Sequence, residues 1–360
     1  MRRVFISDCE GPISKNDNAF EVMTHFVPHG DRIFAVISSY DDALADVLKK
    51  SGYKAGDTLK LVLPFLKAYN VTDRAIRDFS AENLLLITNA KKTLRHVSSI
   101  APTYIVSTSY EHYMRTLCRA MDFPFKNTYC TRLKLDRYNL AETEKEQLKK
   151  FCREMAQMPI LDIPPKARSF NDLSDNVRST IERLDEIFWE TIDEMQIGII
   201  YSEVNPIGGS EKAEAINDIV KKLKVSLTDV MYVGDSITDA EALRFVRENG
   251  GLAVSFNGNR YAIENADIAV MSEDSIATAI IADVFIRLGR EETLSLVVNW
   301  SPQTLVKSLV EQELVNSFLR THPLELPKAK IITEENMENL TTVSTEFRKK
   351  VRGVAVGRMG

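Results

Sequence analysis

Val4-Phe5-Ile6-Ser7-Asp8-Cys9-Glu10-Gly11-Pro12 begins as a short β-favouring apolar run and ends in a carboxylate and a turn pair. Such a run, closed by Gly-Pro, reads as a strand followed by a tight turn. Val230-Met231-Tyr232-Val233-Gly234-Asp235-Ser236-Ile237-Thr238-Asp239 repeats the pattern more than two hundred residues later. If the two runs are neighbouring strands of one parallel sheet, their carboxylates meet at one sheet edge. That edge would be a metal-dependent active site.

Between and beyond these runs the chain alternates strands and helices. Phe20, Met23, Phe26 and Val27, then Ala43, Leu44, Val47 and Leu48, recur at helical spacing, with Asp41 and Asp42 suited to a helix start. A third helical piece runs through Leu59, Val62, Leu63 and Leu66, where Pro64 can kink it, and a fourth spans 73–79. Residues 91–97 read as helix, 103–107 as strand, 110–120 as helix and 127–138 as extended chain. The stretch 139–195 is rich in charge, broken by Pro159, Pro164 and Pro165, and reads as two or three helices. Within it Leu173, Val177, Ile181, Leu184, Ile187 and Phe188 form one helical stripe suited to core packing. Strands are expected at 197–201, 230–233, 251–256 and, as the last, 268–270, with helices at 211–223, 240–249, 276–288 and 302–320. The tail after His322 is weakly patterned, and the glycine-bearing run 352–357 reads as frayed.

This alternation predicts an α/β fold, a doubly wound parallel sheet whose ligand site lies at the carboxyl ends of its strands. The expected organisation is a core from 1–13, 81–138 and 196–290, a helical cap at 14–80, a second helical insertion at 139–195 and a C-terminal helical extension at 291–360.

The chain has 360 residues with 44% hydrophobic content, enough for a large core and more than one compact unit. A net charge of -5 argues against a nucleic-acid surface. No apolar stretch approaches the ~20 residues that span a bilayer, and the opening run is too short for a signal peptide, so a cytoplasmic protein without membrane insertion is expected. Cys9, Cys118, Cys130 and Cys152 lack thiolate-site spacing, and the five histidines form no ligand pair. Cys9 lies between two carboxylates that disfavour its thiolate, and it reads as a small side chain turned away from the site.

Asp8, fixed at a strand end, can act as a nucleophile or a metal ligand. Glu10, two residues on, can give a proton to a leaving group and then take one from water. Asp235 and Asp239 add two carboxylates, an oxygen-rich set that suits Mg²⁺, although Asp239 alone also reads as a helix cap. Lys212 follows Gly208-Gly209-Ser210 near a helix start, where the helix dipole does not favour a cation. A carboxylate cluster would hold it there. Ser107 ends an apolar strand and Thr108 follows, so hydroxyls and backbone N–H groups can hold phosphate oxygens at that point.

In order, Asp8-x-Glu10-Gly11, Ser107, Lys212 and Gly234-Asp235-Ser236-x-x-Asp239 resemble the four motifs of the haloacid dehalogenase (HAD) superfamily, most closely its phosphoserine-phosphatase-like branch. Gly251 to Asn257 with Ala266-Asp267 resembles that branch too, and the likeness covers 1–13, 98–138 and 197–272. The resemblance implies a Mg²⁺-dependent phosphomonoesterase for a small metabolite. Asp8 would form an aspartyl-phosphate, and Glu10 would serve as acid/base and lend its carbonyl to the metal. Ser107 and Thr108 would bind phosphate, Lys212 would neutralise charge, and Asp8, Asp235 and Asp239 would hold Mg²⁺. The cap would exclude water. Glu10 departs from the family's usual aspartate by one methylene, which bears on geometry more than on acidity.

The chain is also similar to archaeal HAD-like proteins labelled energy-converting hydrogenase A subunit R. That label implies a catalytically weak or inactive accessory protein with a partner. No iron–sulfur or nickel cysteine pattern accompanies it. A homodimer or protein contact through 139–195 or the C-terminal extension is the matching expectation, and a carbon–halogen or phosphonate hydrolase is a third reading. Glu21, Arg32, Tyr40 and Lys54 are candidate substrate contacts in the cap, each read more simply as solvated or packed.

Overall fold

The structure, a computed structural model, describes residues 3–164 and 167–353. Its centre is a seven-stranded sheet of β1 (Val4–Ser7), β2 (Thr103–Tyr110), β3 (Thr128–Thr131), β4 (Val230–Gly234), β5 (Leu252–Phe256), β6 (Ile268–Met271) and β7 (Lys328–Ile331). The strand order is β3-β2-β1-β4-β5-β6-β7. All neighbours are parallel except β6 and β7. β1 pairs with β4 along its whole length, Val4 opposite Val230 and Ser7 opposite Val233. The order reverses at β1, and that is where an open α/β sheet leaves a crevice for ligand.

β1 and β4 are apolar on both faces because helices cover both faces of a parallel sheet. On one side Phe5, Met231 and Val254 pack with the helix Ile276–Leu288. On the other, Val4, Ile6 and Tyr232 pack with Ile216 and Ile219 of the helix Ser210–Leu223 and with Leu243.

The expected helices at 14–80 form, with Pro64 near the start of Leu63–Ala68 after a break at Val62. Asp41 and Asp42 lie inside one continuous helical stretch, Gly30–Asp42 running on as the π-helical segment Ala43–Val47. One apolar cluster joins Val22, Phe34, Tyr40 and Phe65 to Phe151, Ile181 and Phe188. The two helical insertions therefore share a single core, and the stripe from Leu173 to Phe188 is buried within this chain rather than left for a partner.

Four expectations are corrected. Residues 197–201 are not a strand but a 3₁₀ turn, Gln196–Ile199, and a short helix, Ile200–Glu203. Ile197, Ile200, Tyr201 and Val204 face the cap cluster while Ile199 is exposed, a helical rhythm that a short apolar run cannot disclose. Only Thr128–Thr131 of 127–138 is strand. The last strand is not β6 but β7, an antiparallel edge whose Lys328 and Lys330 stay exposed beside buried Ala329. Such lysines guard an edge against further pairing. The tail is not frayed through Arg352, because a helix spans Met337–Arg352. Pro165 and the run 354–357 lie outside the described residues. Among the described residues no helix is long and apolar enough to cross a membrane.

Candidate active site

Asp8 leaves β1 with its N–H on Val233 O of β4 at 2.8 Å, so the loop after the first strand is pinned beside the second. Gly11 then turns with φ 107°, and a Cβ there would lie 2.2 Å from Asp235 Oδ2. The residue must be glycine, both for the backbone conformation and for the close approach of the two loops. One oxygen from each of Asp8, Asp235 and Asp239 lies within 4.8 Å of the others. The two runs thus converge as their sequences imply.

Lys212 occupies the first turn of Ser210–Leu223 and is fully buried. Its Nζ stands 3.1 Å from Asp8 Oδ1 and 2.7 Å from Asp239 Oδ1. Burial opposes its charge, but the carboxylates of Asp239 and Asp8 hold its pKa above the ordinary lysine value. Asp239 Oδ1 also takes the Tyr232 hydroxyl at 2.6 Å, while Oδ2 accepts from the N–H groups of Asp235 and Ser236 and from Ser236 Oγ. Against the cost of burial, Lys212 and these bonds keep Asp239 below the usual carboxylate range. Both of its oxygens are occupied, so it sets the loop and the lysine.

Burial and repulsion from Asp239 push Asp8 up to about 8, with Lys212 acting the other way. Glu10 is raised well above its ordinary value by burial and by Asp17. Its Oε1 accepts from Asn18 N at 2.8 Å, so the additional methylene carries the carboxyl toward the first cap helix, Asn18–Phe26. Ser107 Oγ is buried 3.0 Å from Ser109 Oγ. Thr108 gives its hydroxyl proton to Ile207 O at 2.9 Å. Cys9 is fully buried, and burial with Glu10 and Asp8 raises its thiol. All four cysteines are free.

Asp8, Glu10, Ser107, Thr108 and Asp235 line one cleft of about 90 Å³. Lys212 and Asp239 sit beneath it. The cap wall is Phe34, Ser38, Asp41, Asp42, Thr58 and Leu59. None of Glu21, Arg32, Tyr40 and Lys54 reaches it. Glu21 is held by Asn16, Arg32 by Met158 O at 2.7 Å, Tyr40 by Asp185 at 2.5 Å, and Lys54 by Asn205 and Glu211.

Sequence reasoning missed Asp17, Arg348 and Arg352, which also line the cleft. Asp17 had a readable signal, a carboxylate at the N-cap of a helix, and its side chain accepts from Phe20 N. Arg348 and Arg352 come from the helix Met337–Arg352 and ion-pair with Asp235 Oδ2, Arg352 at 3.1 Å. Burial still leaves Asp235 raised, against the pull of Arg348 and Arg352.

Buried carboxyl groups of the cap, two on the cleft wall and one away from it, give the protein a pH response. Burial, with repulsion from neighbouring aspartates, raises Asp41 to about 6 and Asp42 to about 8, and burial raises Glu21 to about 7. Unfolding returns these groups to ordinary carboxylate values, so the unfolded chain binds fewer protons than the folded one between about pH 4 and 8. Their contribution is full below that window and is lost as pH rises through it. Asp239, shifted down, is already ionised throughout and does not offset the slope. The melting temperature of cation-free protein is expected to fall by several degrees from pH 5 to pH 8. Asp42→Asn should flatten the fall, as thermal melts across that range would show.

A family model for haloacid dehalogenase-like hydrolases matches residues 64–280, a stretch that holds Ser107, Lys212, Asp235 and Asp239. No curated protein sequence matches the chain. Among solved structures, gene product AF1437 from Archaeoglobus fulgidus is 23% identical, with a TM-score of 0.82 over 100% of this chain and 99% of that one. That likeness shows a shared fold. An apo phosphoserine phosphatase is 11% identical with a TM-score of 0.41 over 76% of this chain and 96% of its own. A phospho-aspartyl intermediate analogue of phosphoserine phosphatase is 12% identical with a TM-score of 0.46 over 76% and 95%. With the sheet order, the switch point and the family match over more than half its length, the chain belongs to the haloacid dehalogenase-like hydrolases.

Proposed function

We propose that the protein is a Mg²⁺-dependent phosphomonoesterase that works on a small phosphorylated metabolite through an aspartyl-phosphate on Asp8. The observation that carries this reading is the meeting of Asp8, Asp235 and the Lys212–Asp239 pair at the ends of β1 and β4, under a helical cap. The hard oxygen donors suit Mg²⁺, which would be held by Asp8, Asp235, the Glu10 main chain and Asp239, the last through water. Bound there, the ion would supply positive charge to the phosphate oxygens.

An Asp8 oxygen attacks phosphorus while the ester oxygen departs with the Glu10 proton. Burial and Asp17 raise the Glu10 pKa, which favours the protonated form that a general acid needs. Glu10, now a carboxylate, takes a proton from water, whose oxygen attacks the same phosphorus and releases inorganic phosphate and the Asp8 carboxylate. Lys212 opposes the charge on Asp8 throughout, and Ser107, with backbone N–H groups near Thr108, holds phosphate oxygens. The cleft of about 90 Å³ is far below the roughly 300–1,000 Å³ of open ligand pockets, so the cap opens to admit substrate.

The test is phosphate release from a chemically varied phosphomonoester panel, with Mg²⁺ and with chelator. Turnover that chelator abolishes supports the reading, and folded protein that binds Mg²⁺ yet turns over nothing sinks it. The second reading is a weakly active accessory protein, of the kind the hydrogenase-subunit label implies. It draws on the bond from Asn18 N to Glu10, which turns that carboxyl toward the cap. A silent panel, followed by co-purification of a defined partner, would favour it.

A further inference from the structure

Arg348 and Arg352 stand one helical turn apart on Met337–Arg352, and both reach the same oxygen, Asp235 Oδ2. Their side chains are only 3% and 5% exposed. Arg348 also donates to Asp235 O at 3.1 Å. Arg352 donates from Nε to Lys15 O at 3.1 Å, and from its other guanidinium nitrogen to Asn16 O. The helix is itself fixed. Leu340 and Val351 lie in apolar clusters, and Ser344 Oγ donates to Gly258 O at 2.7 Å.

Lys15 and Asn16 lie where the chain leaves the core for the cap, and the chain returns at Asn83 to Leu86. The two crossings are tied together: Lys15 N donates to Leu85 O at 2.8 Å, Ser14 bridges Leu86, and the Asn16 side chain accepts from Leu85 N and donates to Asn83 O. Arg352 thus joins three parts, namely Asp235, the cap crossings and the C-terminal helix. A guanidinium suits this because its rigid planar fork carries three nitrogens in fixed directions toward spread oxygens, whereas an ammonium is a single point on a flexible stem.

We propose that Arg348 and Arg352 are positioning residues, a clamp that sets Asp235 and links its placement to the two chain crossings on which the cap pivots. Two features favour a clamp over a built-in substitute for the metal. The main-chain oxygens of Lys15, Asn16 and Asp235 that the arginines hold do not depend on a bound cation. Both arginines also use Oδ2, so Oδ1 of Asp235 is not among these contacts. The claim about cation binding rests on the reading under Proposed function, while the claim about the crossings does not.

The test uses the full, metal-free chain with Mn²⁺ as probe. Calorimetry reads Mn²⁺ affinity, and hydrogen exchange with mass spectrometry reads peptides covering 14–18 and 83–87. In Arg352→Ala, Mn²⁺ affinity should fall about 10- to 100-fold, the range for loss of a group that orients a metal ligand. Exchange should quicken in both crossings while peptides of β4 and β5 keep their protection. Arg352→Lys, which keeps the charge but loses the fork, should behave as the alanine variant does, and it serves if that variant does not fold. Unchanged affinity, or tighter binding as a competing guanidinium would give, overturns the clamp. So does unchanged exchange at the crossings. If wild type binds no Mn²⁺, the metal reading fails and crossing exchange alone decides the clamp.

Discussion

Asp8→Asn should leave a folded protein whose phosphate release is lower by at least about 10⁴-fold, on the scale seen when a nucleophile is removed. The substitution preserves shape and replaces a nucleophilic oxygen with an amide that cannot form the acyl-phosphate. Lys212 Nζ, 3.1 Å from Asp8 Oδ1 and 2.7 Å from Asp239, keeps one carboxylate partner, so stability should change little. The measurement is single-turnover phosphate release together with a search for phosphate on the protein. Wild type quenched in acid during turnover should carry one phosphoryl group on the peptide containing Asp8, and the variant none. Activity within tenfold of wild type would remove Asp8 as nucleophile.

The second large effect is on stability. Lys212→Met should cost about 3–5 kcal/mol, because removing one member of a buried ion pair leaves the others uncompensated. Here two carboxylates, Asp8 and Asp239, lose their shared ammonium in a site where Lys212 is fully buried from water. Denaturant unfolding reads the loss, and turnover should vanish in whatever fraction stays folded. The variant should also become more acid-tolerant relative to wild type, since protonating Asp8 and Asp239 relieves its unpaired charge. A loss under 1 kcal/mol would mean that other groups carry the charge balance of the cluster.

Asp8, Asp235, Asp239 and Lys212 were legible because each lies within a few residues of a strand end or helix start, where local pattern fixes position. Two apolar runs ending in carboxylates bring them together when the runs pair, and β1 and β4 pair. Arg348 and Arg352 were not legible. An arginine in a polar helix reads as a solvated face, and nothing local shows that this face turns toward Asp235, 113 residues away for Arg348 and 117 for Arg352. β7 escaped notice for a related reason: a four-residue edge strand with alternating lysines carries little hydrophobic signal. The run at 197–201 misled the other way, since its apolar side chains serve the cap cluster and not the sheet.

The placement of Met337–Arg352 also orders the birth of the site. Asp8 is made before its partner loop at Asp235, and the two guanidinium groups that pair with Asp235 emerge 113 and 117 residues after it. A ribosome-bound chain extended through residue 280 already holds every strand of the parallel sheet, yet it lacks both guanidinium groups that face Asp235. Sheet formation and completion of the carboxylate cluster are therefore separate events in time. A protein without Met337–Arg352 would keep the parallel sheet, lose the apolar contacts of Leu340 and Val351, and present an unneutralised aspartate to the cleft.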